Sequence, residues 1–271
     1  MVELLLIALG ALVVVAATTA LSDKFGIPAP LLQIAVGVAF GFLPFVHPFS
    51  IDPEIVLMVI LPPLLYSAAV NMPAMTLRRE FTAISGLSVV LVVLTTVGLG
   101  AFLSWVIPGL DFWWAVAIGA VISPTDAVAT SIVKRAGAGK RVVGILEGES
   151  LLNDASALVL LKTAIAAAAV AFSFWGALGS FAWSVFSAVV VGLVGGWLAL
   201  LLRKRVHDPA VDTVVSFIVP FAVALPVDAI GGSGLVAAVV AGIVHSQAAP
   251  KYLSALQRTT AAANWRTASF V

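Results

Sequence analysis

The strongest constraint on the fold of this chain is a series of apolar segments, each about as long as a bilayer is thick. A membrane-spanning helix needs roughly 20 mostly apolar residues, and reading for such runs predicts nine spans. Runs such as 91–94 (Leu-Val-Val-Leu) lack the alternation of a barrel strand, so every span is predicted to be a helix. The predicted spans are 3–21, 27–46, 53–71, 82–107, 112–133, 142–171, 177–202, 211–227 and 232–248.

Composition leads to the same class by exclusion. Hydrophobic residues make up 62% of the chain and charged residues 10%, whereas a soluble domain carries about 25% charged residues. A net charge of +1 gives no sign of a nucleic-acid partner. The chain has no cysteine and only three widely spaced histidines, which excludes thiol chemistry and the usual metal-ligand spacing. We therefore expect an all-α, polytopic transmembrane bundle in the lipid bilayer, without a cofactor.

The basic residues predict the orientation of the bundle. Of the 14 lysines and arginines, all but Lys162 lie in alternate loops or after the last span. Basic loops stay on the cytoplasmic side, so a plasma-membrane protein with its N-terminus outside is predicted. Lys162 lies within the sixth span near the outer interface, where it is expected to snorkel; a role as a charge partner is the alternative.

The end of the sequence predicts a further segment. Residues 253–271 are moderately polar and then turn apolar again at Ala268 to Val271. We interpret this stretch as the start of an additional span and the chain as a truncated product.

Four carboxylates do not fit the usual place of acidic residues in a membrane protein. Most acidic side chains, including Glu80, Asp212 and Asp228, lie in loops or at span ends, where solvation is expected. A charge at bilayer depth is costly and marks a functional site by default. The helical rise places Asp126 and Asp154 roughly 20 Å and 18 Å from the ends of their spans, near mid-membrane. The four carboxylates are Asp126, Glu147, Glu149 and Asp154.

The fifth span is predicted to break beside one of these carboxylates. In Ser123-Pro124-Thr125-Asp126, the proline has no N–H and crowds the preceding turn. A break at membrane depth is tolerated where it is buried in protein or lines a cavity, and transporters coordinate small ions at such half-helix ends. An ordinary proline kink is the alternative.

The sixth span carries a polar stripe at the same depth. Glu149 and Asn153 are four residues apart on one helix face, and Ser150 and Asp154 share the adjacent face. These oxygen ligands suit a hard cation, and one or two carboxylates suit a monovalent ion or a proton better than calcium. A buried carboxyl next to another one tends to keep its proton. Competition between that proton and a cation is the basis of ion/proton exchange.

At these two motifs the chain resembles the sodium/proton exchangers of the monovalent cation:proton antiporter superfamily, in its electroneutral branch. The resemblance rests on residues 123–129 (Ser-Pro-Thr-Asp-Ala-Val-Ala) and 148–155 (Gly-Glu-Ser-Leu-Leu-Asn-Asp-Ala), with support from 61–66 and 232–237. It covers the chain but only about the first two-thirds of the family's membrane domain. It implies an antiporter-like fold: the first of two inverted repeats and part of the second, with a homodimeric assembly.

The same resemblance implies roles for individual residues. Asp154 would bind sodium or lithium and a proton alternately, in an exchange of one proton per cation. Glu149, Ser150 and the Thr125 carbonyl would complete the sodium shell. Asp126 and the break at Pro124 would support the site, and Asn153 would mark the electroneutral branch. The alternatives are a potassium/proton or other coupled transporter, and a non-transporting remnant; an intramembrane enzyme is disfavoured because no histidine base or nucleophile elbow is at hand.

Overall fold

The computed structural model describes residues 2–42, 52–125, 130, 133, 136–169 and 174–270 of the chain. The all-helical prediction is confirmed, since the described residues form helices and turns and contain no β-strand. We number the described helices α1 Val2–Phe25, α2 Ala29–Gly41, α3 Pro53–Asn71, α4 Ala74–Arg79, α5 Phe81–Val106, α6 Phe112–Ile122, α7 Lys140–Ala169, α8 Phe174–Arg205, α9 Pro209–Ala229, α10 Gly234–Tyr252 and α11 Ala255–Phe270.

Five of the described helices are long and apolar enough to cross a membrane. They are α3, α5, α7, α9 and the Leu178–Arg205 part of α8. Many of their large apolar side chains are exposed, including Leu94, Phe186 and Ile218, as expected where lipid replaces water as the solvent. The chain is therefore a multi-pass membrane protein.

The chain divides into two compact units. The first contains α1 and α2, which pack against each other. They are joined at Gly26, whose φ of 68° lies in the left-handed region and lets the chain turn directly after the last turn of α1. The second unit spans Pro53 to Arg266 and contains both motifs of the fifth and sixth predicted spans, so the candidate site is built within it.

Within the second unit the helices form two packing groups. One group contains α5, α6 and α7, and the other contains α3, α8, α9 and α10. Helix α7 also contacts members of the other group, and Leu65, Leu151, Leu235 and Val239 form a shared apolar core where α3, α7 and α10 meet. The polar stripe of the sixth predicted span is thus carried by the helix that joins the two groups.

Helix starts and irregularities follow local chemistry. Asp111 caps α6 by accepting a hydrogen bond from the Trp113 N–H at 2.9 Å, and Asp208 caps α9 in the same way. Helix α3 contains a π-helical stretch, Val56–Ile60, immediately before Leu61 and the Pro62-Pro63 pair. The prolines supply no N–H and crowd the turn before them, which disfavours regular α-helix there.

The structure differs from the predicted spans at two places that matter. Helix α6 ends at Ile122, so 112–133 is not one continuous described helix; Asp126 lies outside the described residues. Helix α2 ends at Gly41 rather than near residue 46, and residues 43–51 are also outside the described part. Within the predicted further segment the structure has helix α11 over Ala255–Phe270, and the start of an additional span there stays a prediction. The count of nine spans stays a prediction.

Small residues let the helices approach closely in the group around α10. A Cβ atom on Gly242 would lie 2.6 Å from the Ala69 Cβ and 2.9 Å from the Tyr66 carbonyl oxygen, both on α3. Helix α8 also approaches α10 closely, since a Cβ atom on Gly196 of α8 would lie 2.9 Å from the Ala241 Cα. Such contacts are typical of membrane helices packed through small residues, and they fix the position of α3 beside the candidate site.

We expect Gly242→Ala to destabilise the protein by about 1–3 kcal/mol, because the new methyl group must displace the backbone of α3. Gly98→Ala in α5 is the matched control, since a Cβ there meets nothing within 4 Å, and its effect is expected to stay within about 1 kcal/mol. Thermal unfolding in detergent, followed by fluorescence, compares the two variants. Equal melting temperatures would contradict the close packing of α3 on α10.

Candidate functional site

The end of α6 supplies the first half of the candidate site. The helix stops at Ile122, and residues Ser123 to Thr125 are not helical, as expected just before and after Pro124. The Ser123 hydroxyl accepts a hydrogen bond from the Thr96 hydroxyl of α5 at 3.1 Å. This contact anchors the end of α6 and fixes the direction in which Thr125 leaves the helix.

A buried hydrogen-bond cluster joins this unwound end to α7. The Thr125 hydroxyl lies 2.7 Å and 2.8 Å from the two carboxylate oxygens of Glu149 and donates to them. The Asn153 amide donates to Glu149 Oε1 at 2.9 Å, to the Thr125 hydroxyl oxygen at 2.8 Å and to the Thr125 carbonyl at 3.4 Å. Glu149 is 4% exposed and Asn153 is fully buried. A buried carboxylate is tolerated only when it is hydrogen-bonded in this way.

Helix α7 is held against α5 and α3 next to this cluster. The Ser88 hydroxyl, within the π-helical stretch Gly86–Leu91 of α5, donates to the Glu149 carbonyl at 3.3 Å. A Cβ on Gly148 would come within 2.7 Å of the Ile84 side chain and 2.5 Å of the Met72 side chain. The glycine that precedes Glu149 therefore allows the close approach that buries the carboxylate.

Asp154 lies where two cavities meet, at the boundary between the two helix groups. A cavity of about 590 Å³ is lined by Asp154, Ser150 and Glu147 of α7 together with residues of α3. A second cavity of about 300 Å³ is lined by Asp154 and Pro124 and is otherwise apolar. Leu65 of α3 lines both cavities. We call the first cavity the polar vestibule and the second the apolar cavity.

The predicted site residues thus fall into two sets in the structure. Thr125, Glu149 and Asn153 form the hydrogen-bonded cluster, whereas Ser150 and Asp154 face the polar vestibule. The four-residue spacing predicted two adjacent polar faces on α7. One face belongs to the hydrogen-bonded cluster and the other lines the vestibule. Asp126 is outside the described residues, so its place in the site stays a prediction.

A second buried polar cluster was missed by the sequence interpretation. Arg203 of α8 forms a two-point ion pair with Asp212 of α9, both contacts being 2.7 Å, and Arg203 Nη1 also contacts His245 Nε2 of α10 at 2.6 Å. Arg203 is 1% exposed and Asp212 is fully buried. The expectation that Asp212 is solvated at a helix end was wrong, because the carboxylate is enclosed with Arg203, which also contacts α10 through His245.

Two other charged residues also have partners that the sequence did not reveal. Lys162 lies 3.1 Å from Asp228 at the end of α9, so the alternative of a charge partner holds; its side chain is half exposed, and such a pair contributes about 0–1 kcal/mol. Glu80, which was expected to be solvated, is buried and pairs with Arg141 at 2.8 Å. These pairs link elements distant in sequence and lie outside the candidate site.

The fold and the site are those of a multi-pass helical membrane protein with carboxylates at a helix break, beside a cavity. The chain matches the model of the transmembrane sodium/hydrogen exchanger family over residues 10–262. It therefore belongs to the sodium/hydrogen exchanger family.

Similar proteins carry the same family description. The chain is 38% identical to an uncharacterized Na⁺/H⁺ exchanger of Escherichia coli (strain K12) over 256 residues, which are 91% of this chain and 47% of that protein. It is 34% identical to an uncharacterized Na⁺/H⁺ exchanger of Mycobacterium tuberculosis (strain ATCC 25618 / H37Rv) over 271 residues, 98% of this chain and 48% of that protein. A sodium, potassium, lithium and rubidium/H⁺ antiporter of Bacillus subtilis (strain 168) is 34% identical over 227 residues, 81% of this chain and 34% of that protein.

The chain spans about half the length of the first two of these relatives.

We expect Thr125→Val to destabilise the protein, because it keeps the shape of the side chain but removes the hydroxyl that donates to the buried Glu149 carboxylate. The expected loss is about 1–3 kcal/mol, the cost of leaving a buried polar group without its partner. Thr125→Ser keeps the hydroxyl and is the matched control. If both variants melt at the temperature of the unchanged chain, the hydrogen bond between Thr125 and Glu149 does not stabilise the unwound end of α6.

Proposed function

We propose that this chain forms the part of a secondary antiporter that binds a monovalent cation, sodium or lithium, and exchanges it for a proton across the membrane. Asp154 binds the cation and the proton alternately. The observation that carries this proposal is the position of Asp154: it lines a polar vestibule at the boundary between two helix groups, beside an unwound helix end.

The chemistry of the exchange is a competition for one carboxylate. A metal ion binds the deprotonated carboxylate, so cation binding releases a proton and proton binding releases the cation. Hydrogen bonds from Thr125 and Asn153 hold the neighbouring Glu149 carboxylate inside the buried cluster. Asp154 lines the vestibule, and this position supports Asp154 as the group that exchanges its ligand.

The proposed cation site uses oxygen atoms from two neighbouring helices, α6 and α7. Asp154 and Ser150 supply them from α7, and Thr125 supplies a carbonyl from the unwound end of α6. Glu149 contributes negative charge and holds Thr125 in place. We also propose that Asp126, Pro124 and Asn153 support this arrangement, as expected where an unwound backbone lines an ion site.

The names of the relatives indicate two possible choices of cation. Two of them are named Na⁺/H⁺ exchangers, and the Bacillus subtilis relative is named for potassium and rubidium as well as sodium and lithium. Potassium/proton exchange is therefore the second candidate, and each flux assay should include potassium at the same concentration as sodium.

We further propose that the N-terminus is outside the cell, that the basic loops are cytoplasmic, and that the complete transporter is a plasma-membrane homodimer. The distribution of lysine and arginine supports the orientation. The proposed homodimer is supported only by the resemblance of the chain to its family.

We expect Asp154→Asn to abolish cation-dependent proton flux, because the amide can neither bind a proton at working pH nor supply a negative charge to the cation. The measurement uses proteoliposomes that contain the transporter extended to the length of its relatives. A pH-sensitive dye is enclosed inside, and sodium, lithium or potassium is added outside. Retained flux in the variant would remove Asp154 from the exchange.

The matched control is Asp111→Asn. It makes the same chemical change at the start of α6, where asparagine caps a helix as well as aspartate does. Flux in this variant should equal that of the unchanged protein.

We expect the apparent affinity for the cation to fall as the pH is lowered, because protons then occupy the shared carboxylate. Where one proton competes with one cation for the same carboxylate, the cation concentration for half-maximal flux should rise about tenfold for each unit by which the pH falls. Flux measured at several cation concentrations and pH values tests this. A half-maximal concentration that is independent of pH would mean that the two ions use separate groups.

A further inference from the structure

The polar vestibule and the apolar cavity meet at one level of the second unit. Among the described residues, only Asp154 of α7 and Leu65 of α3 line both cavities. On α7, the residues before Asp154 line the vestibule and the residues after it line the apolar cavity. On α3 the order is reversed, because Leu61 lines the apolar cavity whereas Asn71 and Met72 line the vestibule. The boundary between the cavities therefore crosses these two helices at Leu65 and Asp154.

The two cavities differ in what they offer to water. The vestibule has polar groups on both helices, namely Asn71 of α3 and Glu147 and Ser150 of α7. In the apolar cavity, Asp154 is the one polar side chain among the described lining residues. Water occupies a cavity where it finds polar partners, and apolar cavities stay dry. We therefore expect water to fill the vestibule as far as Asp154 and to stop at Leu65.

The Leu65 side chain is held in place by packing. It is 8% exposed and belongs to the apolar core that it forms with Leu151, Leu235 and Val239. One turn further along α3, Ala69 lies against Gly242 of α10. Leu65 is thus fixed to the group of α3, α8, α9 and α10, at the level where α7 presents Asp154.

We infer that Leu65 is a barrier residue on the cation path: its side chain separates the vestibule from the apolar cavity and keeps water and ions out of the latter. An apolar constriction blocks ions because it does not hold the water that an ion carries with it. In the proposed antiport, this barrier prevents Asp154 from being connected to both cavities at once. That consequence rests on the proposed function, whereas the separation of the two cavities does not.

The first test measures water access with single cysteines in the 271-residue chain in detergent. The chain has no cysteine of its own, so each introduced thiol is the only one. Ala68→Cys places a thiol in the vestibule, and Leu161→Cys places one in the apolar cavity. The probe is a small, positively charged methanethiosulfonate, which reacts with the thiolate and therefore requires water at the thiol. We expect the Ala68→Cys variant to react at least about tenfold faster than the Leu161→Cys variant.

The second test removes the barrier. Leu65→Ala, added to Leu161→Cys, should raise the labelling rate about tenfold, because water then reaches the apolar cavity. Since Leu65→Ala also removes packing from the core, Leu65→Gln serves as a second variant, which keeps the length of the side chain and makes it polar. The labelling rate of Ala68→Cys should not change with either variant.

The matched control is Leu64→Ala. Leu64 is the neighbouring leucine, is 39% exposed and lines neither cavity. Its replacement should leave the labelling rate of Leu161→Cys within about twofold. The melting temperature of each variant, measured in the same detergent, shows that it is folded.

Three results would overturn the inference. The first is equal labelling of the Ala68→Cys and Leu161→Cys variants with Leu65 in place, a comparison that needs no change in the core. The second is a folded Leu65 variant in which Leu161→Cys stays slow, and the third is an equal acceleration by Leu64→Ala. Cation-dependent flux in the extended transporter tests the antiport separately. Absence of that flux with the expected labelling pattern would reject the antiport and leave the barrier, and the converse pattern would reject the barrier alone.

Discussion

The hydrogen bonds between Thr125 and the buried carboxylate of Glu149 are the contacts on which the candidate site depends. They join the unwound end of α6 to the middle of α7 and satisfy a charge that the membrane would not otherwise tolerate. Asn153, one turn further along α7, binds both partners and completes the cluster. This cluster joins the break to α7, and Asp154 on the next turn of the same helix lines the polar vestibule.

The position of α7 explains how a fixed cluster and an accessible carboxylate occur on one helix. One face packs on α5 and α6, where Gly148 and Ser88 allow close approach and bury Glu149. The adjacent face is turned toward α3 and lines the vestibule with Ser150 and Asp154. Because α7 contacts both packing groups, Glu149 and Asp154 have different environments although they are only five residues apart.

The second charged cluster shows a different use of burial. Arg203, Asp212 and His245 belong to three helices of the α3, α8, α9 and α10 group, and their contacts tie the ends of those helices together. Breaking such a buried pair is costly, since it leaves an uncompensated charge. The basic residues of this end were assigned to topology alone, yet Arg203 is enclosed by the helices that follow it.

The sequence by itself determined the helical class, the positions of most described helices, and the two motifs that meet at the candidate site. These follow from apolar length, from a proline at the break and from the four-residue spacing on α7, all of which act locally. Only the tertiary structure decided that Glu149 is enclosed in a buried cluster while Asp154 lines a cavity, and it alone brought Arg203, Asp212 and His245 together. Burial and pairing depend on contacts between helices far apart in sequence, and no local pattern encodes which helices become neighbours.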